Sequence, residues 1–294
     1  MDSGALKVFE AVARLGGMNR AAAELNTVQS NVTGRIRQLE AALDIPLFDR
    51  HNRGVTLTAA GRRLLPYAER IGRLLADARR AAGDDGHPRG GLTVGALETT
   101  AAIRLSPVLA SYATTYPQVD LVLRTGTTAE LIDGVLARTL EGALVCGPVD
   151  HPALEAETMF HETLTLATAP SVRTADDLNR IPDLKIVVLR SGCSYRQRLE
   201  EILARRGIVG LRQLEFGTID SIVGCVAAGL GVTLLPRSVL AAAAREGRIA
   251  THDLAGAEAD VATLFIRCRD GYVSSALAGF VDHVRPASAR AAAE

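Results

Sequence analysis

The pattern of the chain changes at residues 83–91, and this change limits the folds that it can adopt. The segment has four glycines, a proline and no apolar side chain, a composition that ends a helix and frees the backbone. Before it, apolar residues recur at helical spacing. After it, short β-branched or aliphatic runs alternate with helical stretches, as in α/β domains. The sequence therefore predicts a helical N-terminal module, a linker and a larger α/β body.

The charges divide at the same place. The 33 basic and 33 acidic residues give a net charge of zero, which by itself argues against nucleic acid. Residues 1–90, however, hold 14 basic and 10 acidic residues, whereas residues 91–294 hold 19 basic and 23 acidic residues. Ten arginines and five acidic residues lie within 35–80. The average therefore conceals a basic module on an acidic body, and nucleic acid is not excluded.

The sequence carries no signal for export or for membrane insertion. No basic start is followed by a hydrophobic run, and no stretch approaches the ~18 apolar residues of a spanning helix. Cys146, Cys193, Cys225 and Cys268 form no CxxC pair and no metal-ligand spacing. We expect a cytoplasmic protein with no membrane partner, no bound metal and no cofactor.

Three helices are predicted in the first 45 residues. The first ends at Gly16-Gly17, Asn19 is expected to cap a short second helix over 20–25, and the third runs over about 28–43. The spacing of the apolar residues in the third helix predicts an inward stripe of Val32, Ile36, Leu39 and Leu43.

The outer face of the third helix is short and polar. Such a helix can enter a major groove, where Gln and Arg bind base edges and Ser and Thr reach phosphates. An ordinary solvated face is the alternative interpretation. The residues of this face that we expect to contact DNA are Gln29, Ser30, Thr33, Arg35 and Arg37.

A hairpin-like segment follows, with Arg50, His51 and Arg53 between Phe48 and the strand-like run 55–57. An arginine at such a tip can enter the minor groove, so Arg50 and Arg53 are candidate DNA contacts, against the alternative of solvated arginines.

From Thr58, a plausible N-cap, a helix is predicted over 59–82, and Pro66 should bend it or break it locally. Its apolar residues recur at the 4-3-4-3 spacing of a helix that pairs with another, and its own module offers it little to pack against. Packing on the following domain is the alternative. The residues of this stripe are Leu64, Ala68, Ile71, Leu75 and Ala78.

The body is predicted to form two interleaved α/β lobes, lobe I at about 88–162 and 267–294 and lobe II at about 163–266. Strands are expected at 92–94, 119–123, 143–145, 186–189, 211–216, 231–235 and 261–266, with helices at 101–116, 126–137, 195–206, 219–228, 238–245 and 274–284.

Small hydroxyl residues recur where helices follow these strands. Helix N-termini that converge on one cleft suit a carboxylate or another small anion, whereas plain helix capping is the alternative. The residues that we expect to contact a ligand are Thr99, Thr100, Thr127, Thr128, Ser191, Gly192, Cys193, Ser194 and Thr218. Cys193 near a helix start could also act as a redox-sensitive thiol, although no resolving cysteine is close in sequence.

Two other function classes fit less well. The six histidines are isolated, and no HExxH or GxxxxGK[ST] motif occurs, so no catalytic residues and no enzyme activity are expected. A transport binding protein would explain the body, but it needs export and has no use for the N-terminal module.

From Leu6 to about Ala82 the chain resembles the N-terminal module of LysR-type transcriptional regulators. The residues that carry the resemblance are Phe9, Val12, 20–25, Gln29-Ser30, Ile36, Leu39-Glu40, Leu43, 46–50, 53–58, Ala60-Gly61 and Leu64-Leu65. Two positions depart from the family pattern: Val28 stands where a hydroxyl residue is common, and Gly34 where a basic residue is common. The departures point to altered base contacts.

The resemblance implies a winged helix-turn-helix domain (1–58), a linker and dimerisation helix (59–87) and a periplasmic-binding-protein-like effector domain (88–294). It also implies double-stranded promoter DNA, a small-molecule effector between the lobes, RNA polymerase and a homodimer or homotetramer as partners. Effector binding would change lobe closure and, through it, the bend in the DNA.

Overall fold

The computed structural model describes residues 1–51, 54–181, 183–189 and 194–291, apart from the side chains of Arg50, Ala257 and residues 286–291. The chain divides into two compact units, Met1–Gly83 and Asp84–Glu294. The division lies at the start of the glycine-rich segment 83–91.

The N-terminal unit begins with α1 (Ser3–Leu15), α2 (Met18–Glu24) and α3 (Gln29–Leu43). Asp2 caps α1, because its Oδ1 accepts a hydrogen bond of 2.8 Å from the backbone N–H of Ala5. Gly16 ends the helix in the left-handed conformation, at φ 64°, as the sequence predicts.

Two details of α2 and α3 differ from the prediction. Gly17, and not Asn19, is the N-cap of α2, because Met18 is already helical and is buried in the core. Leu43 is 37% exposed and does not continue the buried stripe of α3. The helix ends at this residue, and Asp44 turns the chain away in the left-handed conformation.

The core of this unit lies between α1 and α3. Phe9 packs on Phe48 with ring centroids 5.3 Å apart. Burial of the apolar stripes is the main force that assembles the three helices. The buried residues in this core include Leu6, Phe9, Val12, Ala21, Val32, Ile36, Leu39 and Leu47.

A short antiparallel hairpin, β1 (Phe48–His51) and β2 (Gly54–Leu57), leads to the long helix α4 (Ala59–Gly83). The Thr58 hydroxyl accepts a hydrogen bond of 3.0 Å from the Gly61 N–H, which confirms its capping role. The helix is continuous through Pro66, so the local break that proline can cause does not occur.

The first half of the α4 stripe packs inside its own unit, contrary to the expectation that it finds little to bury there. Ala68 is buried, and Leu64 and Ile71 pack half-buried against the core. The second half is open, with Leu74 47% and Leu75 40% exposed.

The second unit is the α/β body. Its strands are β3 (Gly90–Ala96), β4 (Val119–Thr125), β5 (Gly142–Cys146), β6 (Leu154–Thr168), β7 (Lys185–Leu189), β8 (Arg212–Phe216), β9 (Thr233–Pro236), β10 (Ala250–Asp253) and β11 (Asp260–Cys268). Its helices are α5 (Glu98–Thr100), α6 (Ser106–Thr115), α7 (Thr128–Leu136), α8 (Ser194–Arg205), α9 (Ile219–Ala227), α10 (Arg237–Arg245) and α11 (Ser275–Ala291), with a π-helix at Ala101–Leu105 and short 3-10 helices at Ala175–Arg180 and Gly256–Glu258.

The main sheet has the strand order β10-β6-β11-β5-β3-β4, and β9 also pairs with β6. Parallel strands β3, β4 and β5 form lobe I with α6, α7 and α11. Strands β7, β8, β9 and β10 belong to lobe II with α8, α9 and α10. The Tyr112 hydroxyl ties α6 to α11 by donating to the Ala276 carbonyl at 2.7 Å.

Strand β6 connects the lobes and was not predicted. Its first part pairs with β11, and its last five residues, 164–168, pair with β9 and β10 of lobe II. Strand β11 pairs with β5 over 263–266, so these residues belong to the lobe I sheet.

Candidate nucleic-acid interface and inter-lobe cleft

The outer face of α3 is open to solvent. The side chains of Gln29, Ser30, Arg35 and Arg37 are exposed. Thr33 is half-buried, and its hydroxyl has no hydrogen-bond partner within the described part of the chain. The face therefore presents hydrogen-bond donors and two cations that can meet the groups on a DNA duplex.

The two arginines of this face have different surroundings. The Arg35 guanidinium lies next to the start of α1, where a methyl group added to Gly4 would be 2.7 Å from its Nη1. The pKa of Asp2 is lowered, mainly by the hydrogen bond from the Ala5 N–H, with a smaller contribution from Arg35. Arg37 forms no ion pair with the described residues and is the freer cation.

The hairpin β1–β2 is fixed to α3. Glu40 Oε1 accepts hydrogen bonds from the backbone N–H groups of Leu47 and Phe48, at 2.8 and 3.2 Å. The backbone of Arg50 lies in the hairpin, opposite Val55, as predicted. Its side chain and all of Arg53 lie outside the described residues, so the two wing contacts stay predictions.

A cavity of about 480 Å³ lies between the lobes of the body. It lies beyond the carboxyl ends of β3 and β4, where ligands of open α/β sheets bind. Lobe I lines it with Leu97, Glu98, Thr99, Arg124, Thr125, Gly126, Thr127, Glu130, Leu131, Gly134, Thr139 and Leu140, and lobe II with Leu189, Tyr195, Phe216 and Gly217.

Thr99 is the predicted contact that fits this cavity best. It lines the cavity, it is 1% exposed, and its Oγ1 has no hydrogen-bond partner among the described residues. A buried hydroxyl without a partner is costly, so it favours a ligand that supplies one. Thr100, its neighbour in α5, is also buried but is not part of the lining.

Two of the predicted threonines cap helices. Thr127 Oγ1 accepts from the Glu130 N–H at 3.3 Å, while Glu130 Oε2 accepts from the Thr127 N–H at 2.8 Å. Thr218 is exposed, caps α9 through the Ser221 N–H at 3.3 Å and is outside the lining. Capping explains both hydroxyls, although Thr127 also lines the cavity.

Two of the predicted ligand contacts instead join the lobes directly. The Ser194 hydroxyl, at the start of α8 in lobe II, donates to Thr128 Oγ1 in lobe I at 3.1 Å. Ser191, Gly192 and Cys193 lie outside the described residues. Their ligand contacts and the redox role of Cys193 therefore stay predictions.

The chain matches two family models along most of its length. The model of the bacterial regulatory helix-turn-helix protein of the lysR family matches residues 4–62, and the LysR substrate binding domain matches residues 85–289. The HTH-type transcriptional regulator GltR of Bacillus subtilis is 43% identical over 280 residues, which cover 95% of each chain. An uncharacterized HTH-type regulator of the same organism, YusT, is 44% identical over 97% of this chain and 96% of its own.

The solved structures agree with this fold. The CbnR regulator in complex with its target DNA is 29% identical, with a TM-score of 0.63 over 98% of this chain and 100% of its own. A full-length OxyR variant from Pseudomonas aeruginosa, 19% identical, has a TM-score of 0.69 over 97% of this chain and 95% of its own.

The chain belongs to the LysR family of bacterial transcriptional regulators. It is a DNA-binding transcriptional regulator with an effector-binding domain, and the predicted fold class of a helix-turn-helix domain followed by a two-lobed body is confirmed. The relatives are named as regulators of transcription. Among the described residues, no helix combines the length and apolar composition of a membrane span, and no cluster of potential metal ligands occurs.

Two charged residues in the cleft of this LysR-type regulator were not predicted from the sequence. Glu98 and Arg124 both line the cavity, and neither forms an ion pair with a described residue. Each follows a predicted strand, and this position was the available signal in the sequence. Arg124 is paired with Gly95 in the parallel β3–β4 register, three residues before Glu98, so both charges lie at one edge of the sheet.

A polar network at the crossing between the lobes was not predicted either. Arg104, in the π-helix that follows Thr99 and Thr100, donates from Nε and Nη2 to the two carboxylate oxygens of Glu162 on β6, at 2.9 and 3.3 Å. Its guanidinium also lies 5.8 Å from the ring centroid of Phe160. Ser238 of lobe II donates to the same carboxylate at 3.4 Å. The network therefore joins lobe I, the connecting strand and lobe II.

Proposed function

We propose that this LysR-type regulator binds promoter DNA as a homodimer or homotetramer and that a small polar or carboxylate metabolite in the inter-lobe cavity changes this binding. The cavity carries the proposal, because both lobes line it and the Thr99 hydroxyl, which has no partner among the described residues, is buried in its wall. A ligand that contacts both lobes stabilises one degree of lobe closure over others.

The DNA contacts of the proposal are Gln29, Ser30, Thr33, Arg35 and Arg37 of α3, with Arg50 and Arg53 of the wing. Support comes from the exposure of the α3 face and from the structure of the relative CbnR with its target DNA. Gly34 leaves a gap in this face, since no atom lies within 4 Å of an added Cβ. Base contacts at this position therefore come from its neighbours.

Self-association through α4 is the second part of the proposed function. Tyr67 is 66% exposed, and Leu74 and Leu75 are the open apolar residues in the second half of the helix. An exposed apolar strip on a long helix is typical of a surface that pairs with a second copy. The proposal includes contact with RNA polymerase at the promoter and action in the cytoplasm, where bacterial DNA lies.

A gel-shift with the DNA upstream of its own gene tests the DNA-binding half. The full-length protein should give a shift that unlabelled upstream DNA removes more efficiently than scrambled DNA at moderate salt. Arg37→Ala should weaken the complex, whereas Arg245→Ala, an exposed arginine of α10, is the matched control and should not. No specific shift, or equal loss with both variants, would contradict the proposal.

A further inference from the structure

We propose that the ligand of the inter-lobe cavity is zwitterionic: an α-amino acid with an apolar side chain. This inference rests on the proposed function, since it assumes that the cavity is the effector site. It goes further because it assigns both a carboxylate and an ammonium group to the ligand and names the side chain that binds each.

Two charged side chains of the lining have no ion-pair partner in the described part of the chain. Most arginines of the body, such as Arg138, Arg196 and Arg237, form ion pairs. Arg124 and Glu98 line the same cavity yet form no ion pair with each other or with any other described residue. Opposite charges at one site that do not meet leave room for a ligand with a complementary charge for each.

The position of the two charges fits a small molecule. Arg124 is the last residue but one of β4 and is paired with Gly95, and Glu98 follows the adjacent parallel strand β3, so both lie at the carboxyl ends of these strands. The guanidinium of Arg124 provides two parallel donors for a carboxylate. The carboxylate of Glu98 accepts from an ammonium group, and the Thr99 hydroxyl next to it provides a further hydrogen bond.

The other carboxylate of the lining is already engaged. Glu130 accepts hydrogen bonds from both the N–H and the hydroxyl of Thr127, at 2.8 and 3.0 Å, within the capping box of α7. It therefore does not compete with Glu98 for the ligand cation, and within the described lining Glu98 and Arg124 are the acidic and basic groups that remain for the ligand.

The rest of the lining combines threonines with apolar side chains from both lobes, and the apolar surface is the larger part. Leu131 and Leu140 are 2% and 5% exposed on the lobe I side, and Leu189 and Phe216 face the cavity from lobe II. An aliphatic or aromatic side chain buried against these residues adds affinity in proportion to its apolar area. The lining thus favours apolar amino acids over acidic or basic ones.

Matched probes separate the two charges. The full-length protein is screened by thermal shift against the proteinogenic L-amino acids at about 5 mM each, because a ligand of the folded state raises its apparent stability. Leucine and phenylalanine are compared with the acids that lack the amine, 4-methylpentanoate and 3-phenylpropanoate, and with the amines that lack the carboxylate, 3-methylbutylamine and 2-phenylethylamine. Either deletion should weaken binding about tenfold or more.

Variants then assign the residues. Glu98→Gln should weaken binding of the amino acid about tenfold and leave binding of the amine-free acid unchanged. Arg124→Met should also weaken binding of the amino acid about tenfold but leave binding of the carboxylate-free amine unchanged. Asp120→Asn on β4 and Arg245→Met on α10 are exposed controls outside the lining and should bind the amino acid as the wild type does.

The outcomes distinguish the ligand class from the function. No thermal shift with any apolar amino acid, or equal binding of the amine-free acids with no effect of Glu98→Gln, would overturn the zwitterion. If an amino acid binds with the expected variant effects but leaves the gel-shift on upstream DNA unchanged, the ligand class stands. The proposed effector role would then be wrong.

Discussion

The buried ion pair between Arg104 and Glu162 offers a quantitative test of how the body is held together. The Glu162 side chain is 7% exposed and that of Arg104 is 20% exposed. Arg104→Met keeps an unbranched apolar stem and removes the charge, which leaves a buried carboxylate next to the Ser238 hydroxyl at 3.4 Å. Its free energy of unfolding should therefore fall.

The size of the loss follows from this burial. Removal of one partner of a buried pair costs about 3–5 kcal/mol, because the remaining charge is buried without compensation. Since Arg104 is one-fifth exposed, water screens part of the interaction, and we expect about 3 kcal/mol. The double variant Arg104→Met/Glu162→Met leaves no buried charge and should be within about 1 kcal/mol of the wild type.

The assay is urea unfolding followed by tyrosine circular dichroism in the near ultraviolet. The chain has no tryptophan, and four of its five tyrosines, Tyr112, Tyr116, Tyr195 and Tyr272, lie in the second unit, so the signal reports mainly on the body. Arg248→Met removes the exposed ion pair with Glu246 and serves as control, with an expected change below about 1 kcal/mol. A single variant as stable as this control, or a double variant no more stable than the single, would refute the reasoning.

Three further changes test the N-terminal unit. Gly34→Ala should stabilise α3 by about 1 kcal/mol, since an added Cβ meets no atom within 4 Å, and an unchanged urea midpoint would contradict this. Gly61→Ala should lower the free energy of unfolding by about 1–3 kcal/mol, because its Cβ would lie 2.3 Å from the Leu47 carbonyl oxygen. An unchanged melting temperature would contradict this. Leu74→Asp should lower the mass measured by light scattering, whereas Val209→Asp, at a 73% exposed site of the body, should not. Equal masses for the two would argue against pairing through α4.

The sequence predicts the N-terminal unit well because its contacts are local. Helical spacing finds the buried residues Val32, Ile36 and Leu39, and the glycine pair at the end of α1 is visible without tertiary information. The errors lie at the ends of helices, where tertiary packing determines the boundary. Burial of Met18 moves the start of α2, and the end of the helix exposes Leu43.

The body is less predictable because its key contacts are distant in sequence. Strand β6 pairs with β11 in its first part and with β9 and β10 in its last, so neither part shows one clean alternation. Thr99, which lines the cavity, could be predicted because hydroxyl residues at helix starts form a pattern. Glu98 and Arg124 belong to no motif, and only the pairing of β3 with β4 brings them to one cavity.

Footprinting of the full-length protein on the DNA upstream of its own gene tests the central claim most directly. The account predicts two protected half-sites whose centres are separated by whole helical turns of about 10 base pairs each, as for two copies of α3 in successive major grooves. Protection should weaken with Arg37→Ala. Uniform cleavage along the whole fragment at moderate salt, or protection that Arg37→Ala leaves intact, would contradict the account.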